Sequence, residues 1–274
     1  MPRVLTFNVL TMRDASGERR HVVARELVRA ANADVVALQE VTRSPDCDQA
    51  ADLVGPGYTI LDVPGGDPTY GGECLASRLP VERSWTSDLP IAEHAGRPMH
   101  AAALAVEVIA PPPVGPLLCV HHKGTYELDG EYVRERQALA TARFVDQIAA
   151  DVPVVLLGDF NAAPDAASMR FLTGRQSLDG YSVRYEDAWA TAHPDDDGHT
   201  FSPRNPLVRA GQMPLERGRR IDHILVRSGP HGPLLDVAAC DVVFDQAVDG
   251  VWASDHFGLL AELRPPPHAP GTWG

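Results

Sequence analysis

The sequence predicts a layered α/β fold in which two facing sheets are covered by helices, and three observations carry that expectation. Short apolar runs rich in β-branched residues recur from end to end, only a few segments show helical periodicity, and no solenoid or propeller repeat is present. So many strands beside so few helices exclude a repeated βαβ barrel.

In chain order the expected strands cover residues 4–9, 34–38, 58–63, 73–77, 101–109, 117–121, 152–157, 221–226, 237–244 and 257–263. Several are apolar throughout, as strands buried on both faces are. Between them, residues 18–31 place Val23, Leu27 and Ala31 on one helical face, flanked by Ala24 and Val28, with Glu18, Arg25 and Arg29 turned to water. Residues 129–149 read likewise, with Val133, Ala140, Phe144 and Ile148 as the buried stripe and Arg134 and Arg136 on a solvated face. A short helix is expected over residues 165–172, opening after Pro164 and capped by Asp165. Prolines at 111–113, 203, 206 and 265–267 mark loops and the tail. Residues 1–264 are therefore expected to form one domain, with 265–274 a proline-rich, flexible tail.

The 274 residues are 44% apolar and 22% charged, a soluble globular balance that excludes disorder, collagen and coiled coil. No stretch approaches about 18 uninterrupted apolar residues, and the first residues lack the apolar run of a signal peptide. The expectation is a soluble, cytoplasmic protein with no membrane-spanning segment. Cys47, Cys74, Cys119 and Cys240 show no C-x-x-C spacing and read as reduced, structural thiols.

A net charge of −13 argues against a protein that grips long nucleic acid by neutralising many phosphates. Locally the balance reverses. Arg204, Arg209, Arg217, Arg219 and Arg220 face a single acid, Glu216, in the stretch that runs into Asp222. A solvated loop and an electropositive lip drawing in an anionic substrate both fit this stretch, and His199, Thr200 and Phe201 could line the same mouth. The single lysine, Lys123, stands beside two histidines.

Polar groups sit at strand ends, where an unpartnered one is costly. Asn8 closes the first run and Glu40 the second; His121 and His122 close the run from Leu117. Asp159 and Asn161 follow Val154–Gly158, Asp222 and His223 open the run to Val226, and Ser254-Asp255-His256 precedes the last strand. In open α/β sheets, strand ends on one edge converge in a crevice, so residues remote in sequence become neighbours. Carboxylates with carboxamides are hard oxygen ligands, suited to Mg²⁺ or Mn²⁺ more than zinc. Together with histidines that hydrogen-bond an oxyanion near neutral pH, they describe phosphate-ester hydrolysis better than acyl transfer.

Thr6-Phe7-Asn8, Leu38-Gln39-Glu40-Val41, Gly158-Asp159-Phe160-Asn161-Ala162-Ala163-Pro164, Arg220-Ile221-Asp222-His223-Ile224 and Ser254-Asp255-His256 stand in that order along the chain. This series resembles the motifs of the endonuclease/exonuclease/phosphatase superfamily, whose fold is deoxyribonuclease-I-like. The weaker Leu75-Ala76-Ser77-Arg78-Leu79-Pro80-Val81 is similar to the strand that follows the acidic motif. The resemblance implies a four-layer α-β-β-α sandwich with two facing mixed sheets. It further implies a divalent metal, Mg²⁺ or Mn²⁺, held by Glu40 with Asn8, and with Asp255 assisting. Asp159 would orient or deprotonate the attacking water, Asn161 would hydrogen-bond the phosphate, and His256, steered by Asp222, would stabilise charge on the phosphoryl oxygens. Relatives with Thr-His-Leu at a strand end suggest His121 as a further phosphate donor. Since strand side chains alternate, only one of His121 and His122 can face the site, and pattern alignment favours His121. Gly258, where many members have proline, and His223, read as structural, depart from the pattern without removing a required group.

The function so implied is metal-dependent hydrolysis of phosphoester bonds, as a phosphodiesterase, nuclease or phosphatase, by in-line water attack. The expected partner is the substrate alone, a small or single-stranded phosphoester, with no obligate protein partner. A catalytically inactive scaffold keeping the same fold is the alternative. It would be expected to show a lost motif residue, and none is missing.

Overall fold

Chain order begins β1 (Arg3–Asn8), α1 (Gly17–Ala31), β2 (Val35–Val41), β3 (Arg43–Ser44), β4 (Cys47–Asp48), α2 (Gln49–Val54), β5 (Thr59–Asp62) and β6 (Gly72–Ser77). It continues through β7 (Val81–Asp88), β8 (Ala102–Ala110), β9 (Gly115–His121), α3 (Glu131–Ile148), β10 (Val154–Asp159) and α4 (Ala167–Leu172). The last third holds β11 (Tyr185–Asp187), α5 (Ala188–Ala192), α6 (Pro206–Ala210), β12 (Asp222–Gly229), β13 (Gly232–Pro233), β14 (Asp236–Val243) and β15 (Gly258–Arg264). This computed structural model describes residues 1–12, 16–44, 46–65, 71–90, 101–149, 152–211 and 213–268. Positions 269–274 of the expected flexible tail lie outside the described residues.

Two mixed sheets result, ordered β14-β15-β1-β2-β6-β5 and β11-β12-β10-β9-β8-β7, with β13 added to β12. Each has one parallel pair at its centre, β1 with β2 and β10 with β9, flanked by antiparallel partners. The parallel pairs are joined by the crossover helices α1 and α3, as parallel pairing requires. Alternation along the strands divides the apolar residues in two. Val4, Ala37, Leu75, Leu104, Cys119, Leu157 and Ile224 meet between the sheets. Leu5, Val36 and Leu38 turn outward under α1 and α2, and Leu118, Val120 and Leu156 outward under α3 and α4. The layer order is therefore α-β-β-α. Cys74, Cys119 and Cys240 are buried and all four cysteines are unpaired. No helix among the described residues is long and apolar enough to cross a membrane.

Two expectations need correction and a third holds in part. The buried stripe of α3 is Arg134, Gln137, Ala138, Thr141, Ala142, Phe144 and Val145, whereas Val133, Ala140 and Ile148 are half-buried. Its first turns bury polar groups because they hold the loop after β9: Gln137 Oε1 accepts from Thr125 N–H, and Arg134, read as solvated, donates to the carbonyls of Thr125 and Glu127. Asp165 does not cap α4, whose N-cap is Ala166; the Asp165 carbonyl accepts from Arg170 instead. The arginine-rich stretch divides: Arg204, Arg209 and Arg217 are exposed, as a solvated loop would have them, and the other two are paired with acids. Arg220 is buried against Asp187 at 2.6 Å, Arg219 pairs with Glu216 at 2.8 Å, and Arg204 lies 3.6 Å from Asp245.

Candidate active site

The ends of β1, β2, β9 and β10 and the start of β12 lie on one edge of the sandwich. They bring Asn8, Glu40, Asp159 and Asp222, separated by up to 214 residues in sequence, to one place. Asn8 Nδ2 donates to Glu40 Oε1 at 2.9 Å and to Asp159 Oδ2 at 3.1 Å, so one carboxamide straps together the two sheets' acids. Its Oδ1 accepts from Leu10 N–H.

Strict alternation would turn Glu40 to the outer face, because Ala37 and Gln39 point between the sheets while Val36 and Leu38 point out. A bulge prevents this. Gln39 and Glu40 together oppose the single residue Glu73, between the pairs Leu38–Cys74 and Val41–Gly72. Glu40 takes a φ of +58°, which swings its carboxylate back to the edge. Gly71, at φ +91°, leaves room for this: a Cβ there would stand 2.7 Å from Glu40 Cα. Asn161 is likewise left-handed, at φ +51°; its N–H donates to Asp159 Oδ1 and its Nδ2 to the Gly124 carbonyl, both at 3.0 Å. Two non-glycine residues in this strained conformation at one site mark a backbone held for function.

His256 Nδ1 donates to Asp222 Oδ2 at 2.9 Å. The Asp222 side chain is fully buried, and its Oδ1 has no partner among the described residues. Burial lowers the affinity of His256 for its proton, but the Asp222, Asp159 and Asp255 carboxylates outweigh it and hold the imidazolium pKa up at about 10. Phe201 packs against the ring at 5.0 Å between centroids, and Thr200 Oγ1 accepts from Asp222 N–H. Asn205 Nδ2 donates to the Ser254 and Asp255 carbonyls, and Ser254 Oγ to the Asn8 carbonyl, which fixes the last motif against the first.

Five carboxylates gather here: Glu40, Glu73, Asp159, Asp222 and Asp255. Burial raises the Asp159 and Asp255 pKa values, with the charge of Asp222 and Glu40 adding to the first and of Glu40 to the second. Burial would raise Glu40 as well, but the Lys123 ammonium, 3.0 Å from Oε1, and the Asn8 amide bring it down to about 2. Lys123 is itself held protonated: burial opposes its charge, and Glu40, Asp159 and Glu73 more than restore it. Among the described residues, Lys123 and His256 are the cations that stand against these acids. An excess of hard oxygen donors over cations in one half-buried place fits a divalent Mg²⁺ or Mn²⁺ ion. The side chains differ in access: Glu40 is 30% and Lys123 19% exposed, so an ion would enter at Glu40. Ligand atoms of Asp159, Asp222 and His256 also lie within 4.8 Å of one another. That triplet suits an ion less well, because its histidine is an imidazolium with no free lone pair.

The charge of Glu73 is disfavoured as well. Burial, then Asp159 and Glu40 against the relief from Lys123, raise its pKa from 4.5 to about 7. A raised folded-state pKa gives stability that is fully present below the unfolded value and lost as pH climbs through the folded one. Glu73→Gln should therefore match the wild type near pH 4.5 and exceed it at pH 8, by up to about 3 kcal/mol. Urea melts at the two pH values check this; an equal gap at both contradicts it.

His121 does point between the sheets and His122 away, as alternation requires. His122 is not partly exposed: it is buried under α3, with Nδ1 3.0 Å from Thr141 Oγ1. His121 is also fully buried. Its Nε2 accepts from Gln39 Nε2 at 3.1 Å, and Glu73 Oε2 lies 3.5 Å from Nδ1. Burial, then His122 and Lys123, lower its pKa to about 3, so it is a neutral imidazole behind the site wall. His223 lies behind the Asp159 loop, where Nε2 meets the Ala162 carbonyl at 2.9 Å and Arg220 and Asp187 hold the other nitrogen. Thr200 and Phe201, expected to line the mouth, do meet Asp222 and His256, whereas sequence reasoning missed Glu73 and Asn205 and gave Gln39 and Lys123 no role. Only Lys123 carried a signal, as the one lysine in the chain.

This fold coincides with what comparison with known proteins gives. The model of the Endonuclease/Exonuclease/phosphatase family matches residues 5–256, and the chain belongs to that family. D. rerio TDP2 complexed with single strand DNA product superposes with a TM-score of 0.77 at 17% identity, covering 96% of this chain and 98% of that one. The human Nocturnin catalytic domain with bound sulfate anion gives 0.72 at 17%, covering 97% and 94%. An endonuclease/exonuclease/phosphatase from Bacteroides vulgatus gives 0.72 at 23%, covering 97% and 99%. No curated protein sequence matches significantly.

Proposed function

We propose that the protein is a Mg²⁺- or Mn²⁺-dependent phosphodiesterase acting by in-line attack of water. One observation carries this reading: Asn8 ties Glu40 to Asp159 beside an imidazolium held by a buried carboxylate. Glu40, aided by Asp255 and positioned by Asn8, would hold the ion. When bound, the ion neutralises charge on the phosphoryl oxygens. Asp159 accepts the proton of the attacking water or orients it, and burial with the nearby Asp222 and Glu40 charges raises its pKa and so makes it a stronger base than an exposed carboxylate. His256, charged because Asp222 lies beneath it, donates to a phosphoryl oxygen, and Asn161 presents its amide from the neighbouring turn. His121 acts from behind, bracing Gln39 beside the bulge.

Hydrolysis of bis-p-nitrophenyl phosphate well above p-nitrophenyl phosphate, with Mg²⁺ or Mn²⁺, is the expected result. The reverse preference makes the protein a monoesterase, and plasmid nicking tests duplex DNA. The single-strand product bound to the D. rerio relative supports a polynucleotide substrate.

Lys123 supplies a second test. Because its ammonium meets the oxygen expected to bind the ion, Lys123→Met leaves the carboxylates without their nearest cation. Millimolar Mg²⁺ should then raise the melting temperature more in the variant than in the wild type. Equal shifts contradict a shared place for the two cations.

A further inference from the structure

The loop between β9 and α3 inverts the usual arrangement of a surface segment. Two of its polar residues are buried, as is one of α3 that binds them: Thr125 is 9%, Glu127 8% and, from α3, Arg134 6% exposed. Its large apolar and aromatic residues face water, Tyr126 at 48% and Leu128 at 68%, as does Tyr132 at 72% in the first turn of α3. The loop is nevertheless firmly held. Arg134 donates to the Thr125 carbonyl at 3.0 Å, the Glu127 carbonyl at 2.6 Å and Glu131 Oε2 at 2.7 Å, Gln137 accepts from Thr125 N–H, and Thr125 Oγ1 donates to Glu127. Buried polar groups are thus used to hold exposed rings in place, the reverse of what stability alone favours.

The same loop starts in the site. Lys123 meets Glu40, and the Gly124 carbonyl accepts from Asn161. Three residues span at most about 10 Å, so the backbone of Tyr126 stands within about that distance of Lys123. That is the reach of a base attached to a phosphate lying in the site. Resting on the phosphodiesterase reading above, we propose that the exposed Tyr126, with the likewise exposed Leu128 and Tyr132 that follow it in the chain, forms a stacking platform for the nucleobase next to the scissile phosphate, so that the substrate is a single-stranded nucleic acid.

Charge selects this occupant. Asp129, Glu131 and Glu135 are neighbours of these residues along the chain, and the net charge is −13, a balance that repels an anionic membrane surface and gives no long track for a polyphosphate backbone. A nucleobase is neutral and unpaired bases offer a π-face, so stacking supplies binding that an acidic protein cannot obtain from phosphates. One phosphate would be held at Lys123 and the acid-bound ion, and the adjacent base on the ring.

The test compares kcat/KM for thymidine 5′-(p-nitrophenyl phosphate) with that for methyl p-nitrophenyl phosphate. The wild type should favour the nucleoside substrate by about 10-fold or more, as one stacked base provides. Tyr126→Ala with Tyr132→Ala should bring the ratio towards one, and Tyr126→Phe should keep it, because the ring and not the hydroxyl stacks. A wild-type ratio near one, or a ratio unmoved by the alanines, overturns the proposal. Should neither substrate turn over, the phosphodiesterase reading fails by itself. Quenching of a short 2-aminopurine single strand then still reads the stack on the Asp159→Asn chain. Affinity weakened about 10-fold by Tyr126→Ala supports the platform, and no quenching overturns it. Tyr126-dependent sedimentation with phosphatidylcholine vesicles, or a Tyr126-dependent dimer, overturns it in favour of a lipid surface or a second copy.

Discussion

Asp159→Asn is expected to lower kcat on bis-p-nitrophenyl phosphate by about 10³-fold, the scale of a lost general base, without lowering the melting temperature. The second half follows from the electrostatics. Asp159 is 1% exposed, and its charge is disfavoured by burial and by Asp222 and Glu40, with His256 and Lys123 only partly compensating. Asparagine keeps the shape, and its carbonyl can still accept from Asn8 Nδ2, while a crowded negative charge is removed. A group that costs stability and is essential to turnover is the signature of an active-site residue. Activity retained by the variant, or lost only in proportion to unfolding, contradicts its role.

Asp222→Ala is expected to damage both activity and folding. The carboxylate is fully buried, and removing it leaves the His256 imidazolium without its closest counter-charge, a loss on the order of 3–5 kcal/mol. Without Asp222 the imidazolium keeps only Asp159 and Asp255 against burial, so its proton is held less firmly and the ring is no longer positioned, and kcat should fall at least about 10²-fold. The pH dependence fixes the cause. The His256 pKa is raised from 6.5 to about 10, so the stability it contributes is complete below about 6.5 and disappears as pH rises through 10. The melting-temperature gap between wild type and Asp222→Ala should therefore be widest in mild acid and narrow towards pH 10. Asp222→Asn, which can still accept from Nδ1, should lose less stability than the alanine. A gap independent of pH contradicts the ion pair.

The ten apolar runs all became strands, most of them because burial on both faces leaves a mark that needs no partner to be read; the edge strands β5 and β14 are only partly buried. The β7 strand left none: it is Val81-Glu82-Arg83-Ser84-Trp85-Thr86-Ser87-Asp88, an edge strand largely turned to water. The α3 stripe misled for the opposite reason, since Arg134, Gln137 and Thr141 are buried to serve the loop and His122, which no hydrophobic pattern encodes. Acids at strand ends were legible as a set. Their geometry was not, because it depends on contacts such as Lys123 with Glu40 across 83 residues and on a bulge set by the pairing with Glu73. The pairing of Arg220 and Arg204 was hidden similarly: the acids Asp187 and Asp245 that take up their charge are distant in sequence.

The central claim is that the acids around Glu40 hold one divalent ion without which the phosphoester is not cleaved. Bis-p-nitrophenyl phosphate hydrolysis by exhaustively chelated protein, followed as Mg²⁺ or Mn²⁺ is restored, tests it most directly. The expected result is no turnover until metal is added, saturable recovery in the wild type, and a strongly weakened metal response in Glu40→Gln. Full activity in the chelated protein, or identical metal titrations for wild type and Glu40→Gln, would contradict it.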